Sequence, residues 1–255
     1  MEERYARNIL LENIGEEGQA KLKSAKALVV GAGGLGSPAL YYLAAAGVGT
    51  IGIVDDDIVT ISNLQRQILH ATNDLGRPKA ASAQEKLVAL NPNVNIVPYN
   101  YRFTKDNAEK IISGLTGNIT NGNSPGGEYD FVVDCCDNYS TKFLINDICV
   151  KMKKPFSHGA VIAMRGEVMT YIPGSACYRC VFETPPEDDV RPTYGQTGVL
   201  GSVAGIIGSM QATETIKYLV GMNDLITNRI LITIAQTMSF YSLNFKKRSS
   251  CICAI

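Results

Sequence analysis

The stretch Ala27-Leu28-Val29-Val30-Gly31-Ala32-Gly33-Gly34-Leu35-Gly36 decides the fold. Its first four residues form an apolar run typical of a buried strand, and residues 37–46 have a helical pattern. A glycine-rich turn between a strand and a helix lets backbone amides approach phosphate oxygens, and the helix dipole adds to the attraction. The sequence therefore predicts a nucleotide-phosphate site whose candidate ligands are Gly31, Gly33, Gly34 and Gly36.

The same alternation of strand and helix continues along the chain. A second apolar strand covers residues 50–54, and a helix over residues 79–90 leads into a strand at 95–101. Further strands are predicted at 131–133 and 155–160, with a helix at 139–151 between them and an apolar helix at 201–220. Residues 167–172, 229–234 and 238–245 alternate in polarity and indicate antiparallel additions. We predict an α/β fold with a doubly wound, mostly parallel Rossmann-like sheet and an antiparallel C-terminal extension.

Length and composition favour one domain over residues 1–255. With 255 residues and 45% hydrophobic content, the chain is able to bury one large core. We expect an N-terminal helical arm over residues 1–24, broken at Gly15, a nucleotide-binding core over 25–160, and the extension over 161–255. Within that extension, the Pro-rich and acid-rich residues 181–197 are expected to form a crossover loop, and the Gly-, Asn- and Ser-rich residues 116–127 a surface insertion.

Charge and hydropathy argue against a nucleic-acid-binding protein and against a membrane or secreted protein. Lys plus Arg and Asp plus Glu both number 24, so no basic excess is present to hold a nucleic acid. No run is apolar enough to cross a membrane, and the charged N-terminus does not resemble a signal peptide. We expect a cytoplasmic protein in which the seven cysteines are thiols or metal ligands.

A set of acids and donors distinguishes ATP from NAD. Asp55 and Asp57 follow the second strand, where an acid normally binds ribose hydroxyls, and this is equally consistent with either nucleotide. Just beyond them come the neutral donors Asn63 and Gln67 and the cations Arg66 and Lys79. Positive charge there stabilises a departing pyrophosphate, whereas a dinucleotide gains little from it. The sequence therefore favours ATP.

The strand at 131–133 ends next to two further acids. Asp137 lies past the strand end and is a candidate Mg²⁺ ligand, whereas Asp134 is expected to be a cap or structural acceptor for the following helix. His70 and His158 have no obvious acid partner and are interpreted as structural. A carboxylate nucleophile has a pKa near ~3.5, so its attack on a phosphate needs no histidine base. Acyl adenylation suits such a site.

Two pairs of cysteines indicate a structural zinc site. Cys177 and Cys180 have the spacing of a zinc knuckle, and Cys251 and Cys253 are able to supply the other two thiolates. A redox CxxC is the alternative, but no thioredoxin-like pattern surrounds it. The remaining cysteines, Cys135, Cys136 and Cys149, are predicted to be buried core thiols.

In short segments along nearly its whole length, the chain resembles the ThiF/MoeB/HesA adenylyltransferases, which are relatives of the ubiquitin-activating enzymes. The matching segments are Arg4-Tyr5 with Arg7, the glycine loop, Gly47-Val48-Gly49, residues 55–67, Gly76 with Lys79, Asn91-Pro92, residues 134–138, residues 177–180 and Gly198-Val199. The resemblance implies a homodimer that binds MgATP, adenylates the C-terminal glycine of a small ubiquitin-like sulfur carrier ending in Gly-Gly, and releases pyrophosphate. It implies Gly34 for the phosphate cradle, Asp57 for ribose, Asn63, Arg66 and Lys79 for the phosphates, Asp137 for Mg²⁺ and Arg7 as an arginine finger in the partner's site.

Two positions depart from the family pattern. Where many members carry a cysteine in the crossover loop, this chain has Tyr194, and the C-terminal cysteine pair is CxC. A thioester or acyl-persulfide step on the enzyme and direct attack of a persulfide donor on the adenylate both stay open. So do the thiamine, molybdopterin and tRNA-thiolation pathways. The competing hypotheses are an NAD-dependent oxidoreductase, adenylation of a peptide or small carboxylate, and a non-catalytic ATP-binding partner.

Overall fold

The computed structural model describes residues 3–115, 125–186 and 197–254. Its strands are β1 (Lys26–Val30), β2 (Thr50–Val54), β3 (Asn95–Tyr99), β4 (Phe131–Asp134), β5 (Phe156–Ile162), β6 (Arg165–Tyr171), β7 (Arg229–Ile234) and β8 (Ser239–Asn244). They form one eight-stranded sheet in the order β3-β2-β1-β4-β5-β6-β7-β8. Pairing is parallel from β3 through β5 and antiparallel from β5 through β8. The predicted fold class is confirmed.

The helices of the described residues are α1 (Ala6–Ile9), α2 (Gly15–Ser24), α3 (Gly36–Ala46), α4 (Lys79–Leu90), α5 (Ala108–Ile112), α6 (Tyr139–Lys151), α7 (Tyr178–Val181) and α8 (Gly201–Val220). Helices α4, α6 and α8 begin and end where the sequence predicts. The short helices α5 and α7 were not predicted, because one turn leaves no periodicity to read. Within the described part of the chain, no helix combines the length and apolarity needed to cross a membrane.

The parallel strands are covered by apolar side chains on both faces. Leu28 and Val132 join one buried cluster, whereas Val29 and Val133 join another on the opposite face. Successive side chains of a strand point to opposite faces, so these pairs show a sheet that is buried on both sides. This explains the continuous apolar runs in the sequence.

The N-terminal arm is fixed to the body of the protein by residues that the sequence analysis had singled out. Tyr5 is buried, and its hydroxyl accepts a hydrogen bond of 2.9 Å from Nδ2 of Asn91. A Cβ at Gly47 would lie 2.6 Å from the Tyr5 ring, and Arg4 donates to the carbonyl oxygen of Leu90 at 2.8 Å. Helix α1 is shorter than the predicted pattern, and Gly15, with φ of +58°, begins α2.

Two predicted features fall partly outside the described residues. These are residues 116–124 of the surface insertion and residues 187–196 of the crossover loop, the latter including Tyr194. Directly after the loop, Val199 forms a parallel bridge with Ala163. Helix α8 begins two residues later, at Gly201.

Candidate functional site

A cavity of about 460 Å³ opens at the carboxyl ends of β1, β2 and β4. In an open α/β sheet this edge is where ligands bind, because strands that run in the same direction end side by side. The predicted site residues that line the cavity are Gly31, Gly33, Gly34, Asp55, Asp57, Arg66, Gln67, Lys79 and Asp137. The fold therefore brings together groups from positions that are up to about a hundred residues apart along the chain.

The glycines of the loop serve two different purposes. Gly31 has φ of +100°, and a Cβ there would lie 2.7 Å from the carbonyl oxygen of Cys135. A Cβ at Gly36 would overlap the carbonyl oxygen of Gly31. Gly33 and Gly34 line the cavity too, but a Cβ at either would meet no atom closer than 3.4 Å, so their missing side chains serve to leave the backbone open to a ligand. The first pair makes the turn possible, and the second pair allows close approach.

Asp55 holds the glycine loop in place. Its carboxylate accepts hydrogen bonds from the amides of Ala32 at 2.7 Å and of Asp57 at 2.9 Å. Burial raises the pKa of Asp55, although Lys79 and these amides oppose the shift. Because both of its oxygens are engaged by backbone, Asp55 acts as a support for the loop, and the side chain of Asp57 is the more exposed acid.

Two cations face the cavity from neighbouring segments. Lys79, at the start of α4, is 4% exposed, and its ammonium donates to the carboxylate of Asp57 at 2.8 Å. Arg66 donates to the carbonyl oxygen of Ser62 at 3.2 Å, and its Cγ would lie 3.4 Å from a Cβ at Gly34. Both positive charges therefore line the same cavity as the glycine loop, as an anionic ligand requires.

Gln67 adds a polar group with an open bonding position. Its side chain is 5% exposed, and its Oε1 has no hydrogen-bond partner among the described residues. A buried amide oxygen without a partner costs about 1–3 kcal/mol. A hydroxyl of a bound nucleotide would satisfy it, and the rotated amide would donate to a phosphate instead.

The segment between β4 and α6 carries Asp137 in an exposed position. Asn138 caps the helix, since its Oδ1 accepts from the amide of Thr141 at 2.9 Å. Of the two roles expected for Asp134, helix cap or structural acceptor, the structure shows the second, because its carboxylate binds the ammonium of Lys142 on this helix. His158 has no obvious acid partner in the sequence but has one in the structure, since its Nδ1 lies 2.8 Å from Asp134.

Within the described residues, three of the residues predicted for the nucleotide site do not line the cavity. They are Gly36, Asn63 and Arg7, the last of which is exposed on α1. The cavity also contains residues that the sequence analysis did not select, including Tyr101, Arg102 and Lys142. Tyr101 and Arg102 follow the carboxyl end of β3. The expectation that ligands bind at the carboxyl ends of the strands, which selected the residues after β2 and β4, was therefore sufficient to find them. Lys142 carried no such signal.

The four cysteines of the predicted zinc site form one buried cluster. Their sulfur atoms all lie within 4.8 Å of one another, and the pairs Cys177–Cys251 and Cys180–Cys253 are each separated by 3.5 Å. Four thiolates around zinc at about 2.3 Å have sulfurs about 3.8 Å apart, so this arrangement fits the metal. Burial, with the neighbouring Cys251 and Cys253, raises the pKa of Cys177. The other cysteines, Cys135, Cys136 and Cys149, are buried core thiols, as predicted.

Comparison with known proteins agrees with this site. A SAMP-activating enzyme E1 of Haloferax volcanii is 40% identical over 249 residues, which are 98% of this chain and 87% of that protein. A sulfur carrier protein adenylyltransferase of Thermus thermophilus is 40% identical over 255 residues, 98% of this chain and 89% of the relative. The adenylyltransferase and sulfurtransferase MOCS3 of Culex quinquefasciatus is 41% identical over 251 residues, but the chain spans only 54% of its length. The predicted class of enzyme, an adenylyltransferase, is confirmed by these relatives.

The fold has solved counterparts. The crystal structure of E. coli MccB with ATP matches with a TM-score of 0.82 at 21% identity, covering 100% of this chain and 74% of that one. At this identity the likeness concerns the fold. The ThiF family matches residues 5–253, nearly the whole sequence. The predicted resemblance is thus confirmed, and the chain belongs to the ThiF family.

Proposed function

We propose that the protein adenylates the C-terminal glycine carboxylate of a small ubiquitin-like sulfur carrier at the expense of ATP, releasing pyrophosphate. The observation that carries this proposal is the cavity in which a glycine loop meets two cations, Arg66 and Lys79. Relatives named for sulfur-carrier and SAMP activation support the choice of carrier. We propose residues 1–255 as one adenylation domain, because the strands of its core and extension share one sheet.

The residues of the cavity have separate roles in this reaction. The amides of Gly33 and Gly34 hold phosphate oxygens, and Asp57 accepts from a ribose hydroxyl. A carboxylate oxygen of the carrier attacks the α-phosphorus, and the bond from this phosphorus to the bridging oxygen breaks, so that both bonding electrons leave with pyrophosphate. Arg66 and Lys79 stabilise the charge that develops on the leaving group.

No proton has to move in this step. The attacking carboxylate is already ionised at neutral pH, so a general base adds nothing. Among the described residues, neither His70 nor His158 lines the cavity. His70 bonds to Ser82 and to the carbonyl oxygen of Ala32, which supports a structural role behind the glycine loop.

Asp137 is the residue that would hold Mg²⁺ on the phosphates. Its side chain is exposed and lines the cavity, whereas the oxygens of Asp55 are committed to backbone amides. Carboxylates are the protein ligands that Mg²⁺ prefers, and the ion usually completes its shell with water and phosphate oxygens. The ion, when bound, supplies positive charge to the triphosphate.

Zinc, the homodimer and the sulfur donor complete the proposal. The four-cysteine cluster would hold zinc as a closed structural site between α7 and the C-terminal segment. Arg7 would act in the partner's cavity, which is supported by its exposed position on an arm that Tyr5 anchors. A persulfide donor would then attack the acyl-adenylate directly and displace AMP.

The antiparallel extension offers a surface for the carrier. Strand β8 is the last strand of the sheet and is exposed along its whole length. Its apolar side chains Phe240, Tyr241 and Leu243 are about half exposed, and Met238 in the preceding turn is 69% exposed. Apolar groups gathered on one exposed strand are typical of a protein-binding surface. We propose that the body of the carrier binds there while its tail enters the cavity.

The test is ATP–pyrophosphate exchange with purified protein, Mg²⁺ and carriers from the same organism. We expect exchange with one carrier that ends in Gly-Gly and none with the same carrier lacking that dipeptide. Exchange that persists without the dipeptide, or that a short peptide or small carboxylate supports equally well, would favour the alternative substrate. Nicotinamide-nucleotide binding that is indifferent to Arg66→Ala and Lys79→Ala would favour the oxidoreductase, and ATP binding without exchange would favour the non-catalytic protein.

A further inference from the structure

A buried ion pair lies directly beneath the cavity. Lys142 belongs to the first turn of α6, lines the cavity and has a side chain that is 2% exposed. Its ammonium donates to the two carboxylate oxygens of Asp134 at 3.3 and 3.2 Å and to the carbonyl oxygen of Gly159 at 2.7 Å. One side chain thus ties the first turn of α6 to the end of β4 and to the middle of β5.

Other side chains hold Asp134 in place for this contact. Nδ1 of His158 lies 2.8 Å from Oδ2, and the thiol of Cys136 donates to Oδ1 at 2.7 Å. The His158 ring packs on Tyr178 with centroids 4.6 Å apart. Asp134 and His158 are register partners on the parallel strands β4 and β5, so the sheet itself sets their separation. The carboxylate that receives Lys142 is therefore fixed from several sides.

The stability of the fold does not explain this arrangement. Desolvation of two charges costs free energy that their attraction only offsets when the geometry is favourable. Apolar side chains of similar volume often stabilise a core equally well or better. The ion pair instead fixes a position: because its ammonium binds three acceptor oxygens, Lys142 holds the start of α6 in one place relative to the sheet. The residues between Asp134 and Lys142 include Asp137 and the cap Asn138.

We propose that Lys142 and Asp134 are positioning residues for the magnesium-binding carboxylate of Asp137. The pair fixes the first turn of α6 against β4 and β5, and through this turn it fixes the segment from which Asp137 enters the cavity. The inference rests on the proposed function, because it takes Asp137 as the Mg²⁺ ligand. Groups that orient a ligand from behind commonly contribute 10–100-fold in metal affinity.

The decisive variant is the double substitution Asp134→Asn with Lys142→Met, which removes both charges and leaves neither one buried alone. Lys142→Arg keeps the charge and serves as the conservative rescue. The matched control is Lys151→Met, a lysine of the same helix whose ion pair with Glu109 is on the surface. Circular dichroism and thermal unfolding establish which variants are folded.

The measurement is the dissociation constant of ATP by isothermal titration calorimetry, with Mg²⁺ and with EDTA. In the double variant we expect the strengthening of ATP binding by Mg²⁺ to fall about tenfold, with ATP binding in EDTA unchanged. Lys142→Arg should recover part of the effect, and Lys151→Met should match the wild type. An unchanged Mg²⁺ effect in the folded double variant overturns the inference. If the double variant does not fold, Asp134→Asn alone, which keeps the shape of the side chain, takes its place under the same criterion.

Two further results would also overturn it. One is an equal loss of ATP affinity with and without Mg²⁺, which would mean that the pair shapes the cavity as a whole. The other is a wild-type protein whose dissociation constant for ATP is the same with Mg²⁺ and with EDTA. The binding measurement does not depend on pyrophosphate exchange, so the two proposals can fail separately. If the wild type exchanges no pyrophosphate, but Mg²⁺ strengthens its ATP binding and does so less in the double variant, the proposed reaction is refuted and the positioning role is supported.

Discussion

Replacing Cys251 and Cys253 by serine removes half of the ligands of the proposed zinc site. The cluster joins two distant parts of the chain, since Cys177 and Cys251 are 74 positions apart. In the folded protein the four sulfurs are already within 4.8 Å of one another. An unfolded chain has to close this long loop before it is able to present the same four ligands. Zinc therefore binds the folded protein more tightly than the unfolded chain.

The size of this preference follows from the length of the loop. Closing a loop of 74 residues costs about 4.5 kcal/mol of chain entropy at 25 °C. By linkage, a metal that prefers the folded state by this amount stabilises it by the same amount. For a protein of this size, each kcal/mol corresponds to about 2–4 °C in melting temperature. We expect the double serine variant to melt roughly 9–18 °C below the zinc-loaded wild type.

Scanning calorimetry and elemental analysis of the same samples provide the test. The wild type should carry one zinc per chain, and the double variant should carry none. Cys149→Ser is the matched control, because it also removes a buried thiol but leaves the cluster intact and should retain its zinc. A wild-type protein that takes up no zinc when it is supplied would refute the assignment. A double variant that loses zinc but has the same melting temperature as the wild type would refute the loop-closure reasoning.

Three further predictions concern the cavity and the ion pair beneath it. Arg66→Ala and Lys79→Ala should each lower pyrophosphate exchange by about 10²–10³-fold with unchanged circular dichroism, and wild-type rates would contradict the phosphate assignment. Heterodimers of Arg7→Ala with Lys79→Ala should regain part of the lost exchange if Arg7 acts in trans, whereas no recovery in subunits shown to mix would place it elsewhere. Burial opposes ionisation of Asp134, but Lys142 and the other donors outweigh it and lower its pKa to about 2 from 3.8. Because this folded-state pKa is depressed, the stabilisation that ionised Asp134 contributes is present above about pH 4 and is lost as the pH falls through 2. Urea unfolding of the wild type and of the variant Asp134→Asn with Lys142→Met between pH 2 and 5 would show this loss in the wild type only.

The sequence was sufficient to predict much of the fold because its strong signals are local. Helices α4, α6 and α8 have the predicted bounds, and the apolar run of β1 with the glycine turn after it identifies the first strand and helix. Once the strands are known to be parallel, their carboxyl ends must meet at one edge. This is why Asp55, Asp57 and Asp137, which lie far apart in the sequence, were predicted to share one site and do line one cavity.

The side-chain pairings within the site were not predictable in the same way. Lys79 and Asp57 were assigned to different parts of the nucleotide, and the structure shows that their side chains bind each other. The assignments are compatible, since an ammonium with three protons keeps donors available for a phosphate. The sequence places each charge at the cavity but does not specify its partner.

The ion pair beneath the cavity shows why this limit is physical. Lys142 occupies a core-facing position of a helix, where a lysine is ordinarily a solvated charge at the edge of the apolar face. Its burial is tolerated only because Asp134 is there, and Asp134 is held by a histidine from the neighbouring strand. That histidine reaches it because β4 and β5 pair in the register Asp134 to His158, and a shift by one residue would turn the ring to the other face of the sheet. Register is a property of two strands together, so neither segment alone contains it. A charge network built across strands therefore becomes visible only after the sheet has formed.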